Sequence, residues 1–116
     1  MKILIIDDEE LDLFINKKLL GLEYQTEGFS SIEDAVQWAS THDFDIALID
    51  YYLGHNIYAH NALEKLTKVK SKNFEAFVLS NFVDQRQSEE LIKAGFKNII
   101  YKPLTVETFK SVLNLA

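Results

Sequence analysis

Polar side chains stand directly after four separate apolar runs of the 116-residue sequence. The first run ends on Asp7 and Asp8, which begin four consecutive acids, and the other runs end on Asp50, Ser80 and Lys102. Carboxylates that are brought together repel one another, and some take up protons unless a cation lies nearby. Three carboxylates, a lysine and a hydroxyl could therefore hold a hard divalent cation together with a phosphoryl group.

Mg²⁺ suits such a set, because it binds one or two carboxylates together with water and phosphate oxygens. A carboxylate can be the nucleophile that forms an aspartyl phosphate. The cation on one side, Lys102 on the other and a hydroxyl such as that of Ser80 would neutralise the phosphoryl oxygens. Each residue alone has an ordinary interpretation as a solvated strand end, and the acids also suit the first turn of a helix. Their joint placement at four strand ends indicates a site.

Short β-rich runs alternate with helical patterns five times along the chain. The predicted strands are Lys2–Ile6, Tyr24–Phe29, Ile46–Ile49, Phe74–Leu79 and Ile99–Tyr101. This alternation predicts a parallel sheet with helices on both faces. We expect an α/β, doubly wound, five-stranded sheet of flavodoxin-like (βα)5 topology in the order 2-1-3-4-5. Strands 1 and 3 flank its switch point, where ligands bind at the carboxyl ends, so the polar side chains should converge there.

Helical spacing and capping patterns place the helices between these strands. Five residues form the apolar stripe of the first helix: Leu11, Phe14, Ile15, Leu19 and Leu22. Ser30–Glu33 matches a capping box for the second helix, and Asn61–Glu64 caps the third. Asp84–Ala94 and Thr105–Leu115 read as the fourth and fifth helices.

The composition excludes several classes of protein. An apolar content of 47% supports a packed core, and 116 residues predict one domain over residues 1–116. The absence of cysteine excludes disulfides and thiol chemistry. A net charge of −6 argues against binding of nucleic acid. Because neither a membrane-length apolar stretch nor a signal-peptide pattern is found, we expect a cytoplasmic protein that does not bind membranes.

Four motifs in order, ILIIDDEE, IALIDYYLG, FVLSNF and IIYKPL, resemble the receiver domain of bacterial two-component response regulators, the CheY-like superfamily. The similarity extends from Lys2 to Leu115, and AGF at 94–96 fits the same pattern. It implies that Asp50 is the phosphoacceptor. It also implies that Asp8 binds Mg²⁺ directly, Asp7 binds it largely through water, and the backbone carbonyl of Tyr52 is a further ligand.

The resemblance also assigns roles to the last two motifs. Ser80 would be the switch hydroxyl and Lys102 the phosphate-binding lysine, with Pro103 after a cis peptide bond. The loop after Asp50 lacks the usual proline and runs several residues longer than common, and two single positions also depart from the family pattern. Asn81 stands where a very small residue is usual, and Ile99 stands where a Tyr or Phe commonly rotates on activation. These departures concern the signalling read-out and leave the phosphorylation residues intact.

The implied function is that of a phosphorelay switch. The domain would accept a phosphoryl group from a histidine kinase or a histidine phosphotransfer protein, and it would catalyse only its own phosphorylation and dephosphorylation. Its face at Asp84–Leu115 would then bind a downstream effector or a second copy of itself.

Other functions remain open at this point. A pseudo-receiver with the same fold would serve as an interaction module without phosphorylation. A flavodoxin-like electron carrier would need a phosphate-binding loop after the first strand, where four acids would repel FMN. A small metal-dependent phosphohydrolase would turn over phosphoesters.

Overall fold

The computed structural model describes residues 1–69 and 73–115, with side chains described through residue 113 in the last helix. The strands are β1 (Lys2–Ile6), β2 (Gln25–Phe29), β3 (Ile46–Asp50), β4 (Glu75–Ser80) and β5 (Asn98–Tyr101). The helices are α1 (Glu10–Leu20), α2 (Ile32–Ala39), α3 (Ala59–Val69), α4 (Gln85–Ala94) and α5 (Val106–Leu115). All strand pairs are parallel, in the order β2-β1-β3-β4-β5, which confirms the expected fold. No helix among the described residues is both long and apolar enough to cross a membrane.

The central strands are apolar on both faces because helices cover both sides of the sheet. All five residues of β3 are buried. Along β1, Leu4 and Ile6 pack into one core cluster, whereas Ile3 and Ile5 pack into a second cluster on the opposite face. The strands are therefore fixed in position by burial, and this burial determines where their carboxyl ends lie.

The buried face of α1 differs from the predicted one. Its buried residues are Asn16 and Leu20, and Leu13 and Leu19 are partly buried against the second cluster. Four members of the predicted stripe are exposed: Leu11 at 68%, Phe14 at 59%, Ile15 at 50% and Leu22 at 79%. The prediction was wrong for these four because α1 carries apolar residues on two faces. The face of Leu13 is the one that packs on the sheet, where a Cβ on Gly28 would lie only 2.8 Å from Leu13 Cδ1.

Two helix starts also differ from the capping patterns. Ser31 caps α2, since its Oγ accepts a hydrogen bond from the Asp34 N–H at 3.2 Å. The predicted pair began one residue earlier, at Ser30, because either serine is followed three residues later by an acid. In α3, Asn61 lies inside the first turn, where its Oδ1 accepts from the Tyr58 N–H at 2.8 Å. Asn61 therefore supports the helix start from within the helix.

Gly95 ends α4 in the left-handed region, with φ of 117°. Its N–H donates to the carbonyl of Ile92 at 3.1 Å, so this carbonyl in the last turn of the helix has a hydrogen-bond partner. A Cβ at this position would meet Leu63 Cδ2 at an ordinary 3.4 Å, so the constraint lies in the backbone rather than in space.

Gly95→Ala should lower the free energy of unfolding by about 1–2 kcal/mol, because an L-residue is strained at positive φ. Denaturant unfolding measures the change. Ser40→Ala is the matched control, because Ser40 follows α2 with φ of −65°. The control should change stability by less than about 0.5 kcal/mol. Equal effects of the two substitutions would contradict the assignment of strain to Gly95.

Candidate functional site

Three carboxylates converge where β1 and β3 end. One oxygen from each of Asp7, Asp8 and Asp50 lies within 4.8 Å of the others. Asp7 is 1% exposed, and its Oδ1 accepts a hydrogen bond from the Glu9 N–H at 3.0 Å. Its Oδ2 is buried without a hydrogen-bond partner among the described residues. A buried acceptor of this kind requires a partner, and a divalent cation bound by the three acids would supply one.

The electrostatics of Asp7 follow from this burial. The pKa of Asp7 is raised to about 7 from its ordinary 3.8, chiefly by burial and in smaller part by the negative charge of Asp50. The Glu9 N–H and the charge of Lys102 lower the pKa without cancelling the rise. Near neutral pH, the cluster therefore holds less negative charge than its composition suggests, and a cation would compete with a proton for Asp7.

Asp50 and Lys102 form the ion pair at the centre of the site. Lys102 Nζ lies 2.8 Å from Asp50 Oδ1. Burial raises the pKa of Asp50, while the hydrogen bond and charge of Lys102 lower it and the charge of Asp8 raises it. Burial lowers the pKa of Lys102, but the hydrogen bond to Asp50 and the surrounding carboxylates outweigh burial, so the net shift is upward. The lysine is therefore held as a cation beside the candidate phosphoacceptor.

Asp12 is a fourth acid of the site that the sequence analysis missed. Its Oδ2 lies 3.7 Å from Lys102 Nζ, and its charge raises the pKa of both Asp7 and Asp50. Its position four residues after Asp8, near the start of a helix, was the available indication. The acids thus continue from the strand end onto the first turn of α1.

Ser80 ends β4, and its hydroxyl is engaged within its own loop. Ser80 Oγ donates to the Phe82 carbonyl at 3.1 Å and accepts from the Phe82 N–H at 3.3 Å. The Lys102 N–H donates to the Ser80 carbonyl at 2.8 Å, which ties the ends of β4 and β5 together. The predicted cis peptide bond before Pro103 is confirmed.

The segment after Asp50 folds back as a tight turn in which Tyr52 pairs with Tyr58. Tyr52 is 44% exposed, and its hydroxyl accepts from the Asn56 N–H at 3.3 Å. Gly54 has φ of 86°, and a Cβ there would lie 3.1 Å from Asp8 Oδ2. The turn therefore packs closely against the acidic cluster, and the predicted role of the Tyr52 carbonyl as a metal ligand stays a prediction.

The remaining positions singled out in the sequence lie away from the carboxylates or at their rim. Ile99 is 8% exposed and belongs to the core cluster that contains Leu4 and Ile6. Asn81 and Phe82 are exposed, and Asn81 lines the same cavity as Lys102. His42, His55 and His60 are all exposed, and none joins the metal-binding group found among the described residues.

The response regulator receiver domain family model matches residues 3–114, and the chain belongs to this family. This match confirms the resemblance of the four motifs. The search of curated proteins returned no significant match.

Solved structures share the fold at low sequence identity. A receiver domain from Methylobacillus flagellatus has a TM-score of 0.82 and 22% identity, covering 99% of this chain and 97% of that one. A receiver domain from Methanospirillum hungatei has a TM-score of 0.81 and 24% identity, covering 98% and 94%. A Burkholderia pseudomallei response regulator with a phosphorylated aspartic acid, calcium and citrate has a TM-score of 0.79 and 23% identity, covering 97% of this chain and 65% of that one. At these identities, the likeness shows the fold.

Asp7→Asn should stabilise the metal-free protein, and more so at high pH. The raised pKa means that the carboxyl stabilises the fold fully only below its ordinary pKa, and this contribution is lost as the pH rises through about 7. The free energy of unfolding in a chelator should rise by roughly 1–3 kcal/mol near pH 8 and by less near pH 4. Asp8→Asn removes the same charge from an exposed residue and should have a smaller effect. A pH-independent gain for Asp7→Asn would contradict this account.

Proposed function

We propose that this domain is a phosphorelay switch in which Asp50 accepts a phosphoryl group from a phosphohistidine. The donor is a histidine kinase or a histidine phosphotransfer protein, and the outcome is a change in partner binding. The observation that carries the proposal is the 2.8 Å ion pair between Asp50 and Lys102 inside a cluster of carboxylates at the switch point of the sheet. Membership in the receiver domain family supports it.

The reaction needs little from the protein beyond position and charge. An Asp50 carboxylate oxygen forms a bond to phosphorus while the bond between phosphorus and the donor imidazole nitrogen breaks, and that nitrogen keeps the electron pair. Lys102 moves from a carboxylate partner to the phosphoryl oxygens and so remains paired as negative charge arrives. The domain thus promotes only its own phosphorylation and, later, attack by water.

Mg²⁺ fits the residues present. Asp7, Asp8, Asp50 and the Tyr52 carbonyl are the proposed ligands, and the unpartnered Asp7 oxygen favours a cation there. When bound, Mg²⁺ would supply positive charge in addition to that of Lys102, so the incoming phosphoryl group would not face uncompensated carboxylates. The calcium ion in the Burkholderia pseudomallei response regulator supports a hard divalent cation in this family.

The exposed apolar face of α1 is the proposed docking surface for the phosphodonor. Leu11, Phe14 and Ile15 are each at least half exposed, although their side chains are apolar. Ile15 also lines a cavity of about 420 Å³ together with Lys102 and Pro103, so this face is continuous with the site. A donor that covers it would bring its phosphohistidine toward Asp50.

The read-out is proposed to begin at Ser80 and to reach the face at Asp84–Leu115. Ser80 would leave its hydrogen bonds with Phe82 and donate to a phosphoryl oxygen, which would move the loop that leads into α4. Ile99 is buried and aliphatic, so it offers no ring that could rotate toward Ser80. The change should therefore be carried by the loop and α4, toward an effector or a second copy of the domain.

Acetyl phosphate with Mg²⁺ should add one phosphoryl group to the wild-type domain and none to Asp50→Ala, as measured by intact mass spectrometry. The group should be lost rapidly in base, as expected for an acyl phosphate, and chelation of Mg²⁺ should prevent its addition. Asp34→Ala is the matched control, because it removes an exposed acid of α2. Equal phosphorylation of Asp50→Ala and wild type would refute the assignment of the phosphoacceptor.

Self-dephosphorylation should be slow, because Tyr52 and Phe82 stand two residues after Asp50 and Ser80, at the positions that the resemblance to receiver domains assigns to the path of the attacking water. Both side chains are bulky, and the Tyr52 hydroxyl is held by its own turn, so neither orients an attacking water well. Tyr52→Asn combined with Phe82→Glu should speed phosphate loss by about 10-fold, or about 1.4 kcal/mol in the barrier. Leu22→Glu, on an exposed apolar residue after the end of α1, is the control and should leave the rate unchanged. Equal rates in the double variant and wild type would exclude this gating.

A further inference from the structure

A groove of about 490 Å³ lies between the segment that follows Asp50 and helix α4. Tyr51, Tyr58 and His60 line one side of it, and Gln87 and Glu90 of α4 line the other. This groove is separate from the acidic cluster and plays no part in the proposed phosphoryl transfer. We call it the tyrosine groove.

The aromatic wall of the tyrosine groove is held by contacts among its own rings. Tyr51 and Tyr58 pack edge to face with centroids 5.5 Å apart. Tyr58 stacks on His60 at 6.2 Å with only 9° between the ring planes, and Tyr52 packs on Tyr58 from behind at 5.1 Å. The Tyr58 backbone is also fixed by its hydrogen bond to Asn61. The rings are therefore organised before any ligand arrives, which lowers the cost of binding.

The opposite wall is negative. The carboxylate of Glu90 lines the groove, whereas neither lysine nor arginine is found among its described lining residues. Burial raises the pKa of Tyr51, and Tyr58 and the charges of Glu90 and Asp84 raise it further, while a hydrogen bond to Gln87 lowers it. The Tyr51 hydroxyl thus senses a negative potential from α4. Aromatic faces opposite a carboxylate form the combination that attracts a planar cation.

We propose that the tyrosine groove binds an arginine side chain of a partner protein. A guanidinium plane can lie against the rings of Tyr58 and His60 while its N–H groups donate to the Glu90 carboxylate. Lysine carries the same charge but lacks the planar fork that satisfies both walls at once. The net charge of −6 on this chain further favours a basic partner segment.

The chain itself contains a competitor for this position. Arg86 Nε lies 3.3 Å from Glu90 Oε1, with the two side chains 89% and 65% exposed. Exposed pairs of this kind contribute little to stability, so a partner arginine held by the rings can displace Arg86. Removal of Arg86 should therefore strengthen binding of arginine in the groove more than binding of lysine, whereas a non-specific acidic surface would gain equally for both.

The proposal does not depend on the function of Asp50. The groove is formed in the unphosphorylated chain, and its test needs neither Mg²⁺ nor a phosphodonor. Failure of arginine binding would leave the phosphoacceptor proposal intact, and failure of phosphorylation would leave this one intact.

Amide chemical shifts of the ¹⁵N-labelled chain test the site directly, with N-acetylargininamide as the probe. Saturable shifts should appear at Gln87, Glu90 and Leu91 and in the segment around Tyr58. N-acetyllysinamide should bind several-fold more weakly, and the neutral N-acetylglutaminamide should leave these amides unmoved. Equal affinity for the lysine and arginine probes, or shifts outside the groove only, would overturn the proposal.

Substitutions then distinguish binding in the groove from binding on the neighbouring surface. Glu90→Gln should weaken binding of the arginine probe about 5-fold or more, and Arg86→Ala should strengthen it. Tyr58→Phe keeps the ring and should retain binding, whereas Tyr58→Leu should lose it. Glu89→Gln is the matched control, because it removes the same charge from an exposed neighbour on α4 outside the groove lining. A loss in Glu89→Gln equal to that in Glu90→Gln would overturn the assignment, and so would unchanged binding in Glu90→Gln.

Discussion

The ion pair between Lys102 and Asp50 holds together a cluster that would otherwise repel itself. The cluster combines one lysine with four carboxylates, those of Asp7, Asp8, Asp12 and Asp50. Lys102 Nζ lies within 4 Å of two of these carboxylates, those of Asp12 and Asp50. The fold creates this excess of negative charge because parallel strands place their carboxyl ends at one edge of the sheet. Burial of β1 and β3 then prevents the acids from moving apart. The site consequently carries more negative than positive charge, and this excess favours binding of a cation.

The packed core keeps the carboxylate of Asp7 buried. Asp7 is carried at the end of a strand whose apolar residues are at most 1% exposed between Ile3 and Ile6. These residues would lose their contacts if the strand shifted to hydrate the acid, so the strand stays in place and the pKa of Asp7 rises instead. Binding of a cation or of a proton would compensate the buried negative charge of Asp7. The buried carboxylate of Asp7 therefore destabilises the metal-free protein and at the same time favours metal binding.

The sheet and the main site residues could be predicted from the sequence because both depend on local patterns. Continuous apolar runs that stop on Asp50, Ser80 or Lys102 define the strands and their polar ends together. The orientation of α1 could not be predicted, since two of its faces carry apolar residues and only the tertiary packing of Leu13, Leu19 and Leu20 on the sheet shows which one is buried. Asp12 was missed because it reads as an ordinary exposed helix residue. The tyrosine groove joins residues about thirty positions apart, so only the tertiary structure reveals it.

Binding of beryllofluoride, an analogue of the phosphoryl group, tests the central claim most directly. With Mg²⁺ present, we expect saturable changes in the amide spectrum at Asp50 and through the loop and start of α4, over residues 81–89. The residues of β5 around Ile99 should change less. Asp50→Ala or chelation of the metal should abolish the response. Absence of binding with Mg²⁺, or equal binding by Asp50→Ala, would contradict the account and identify the domain as a non-phosphorylated interaction module.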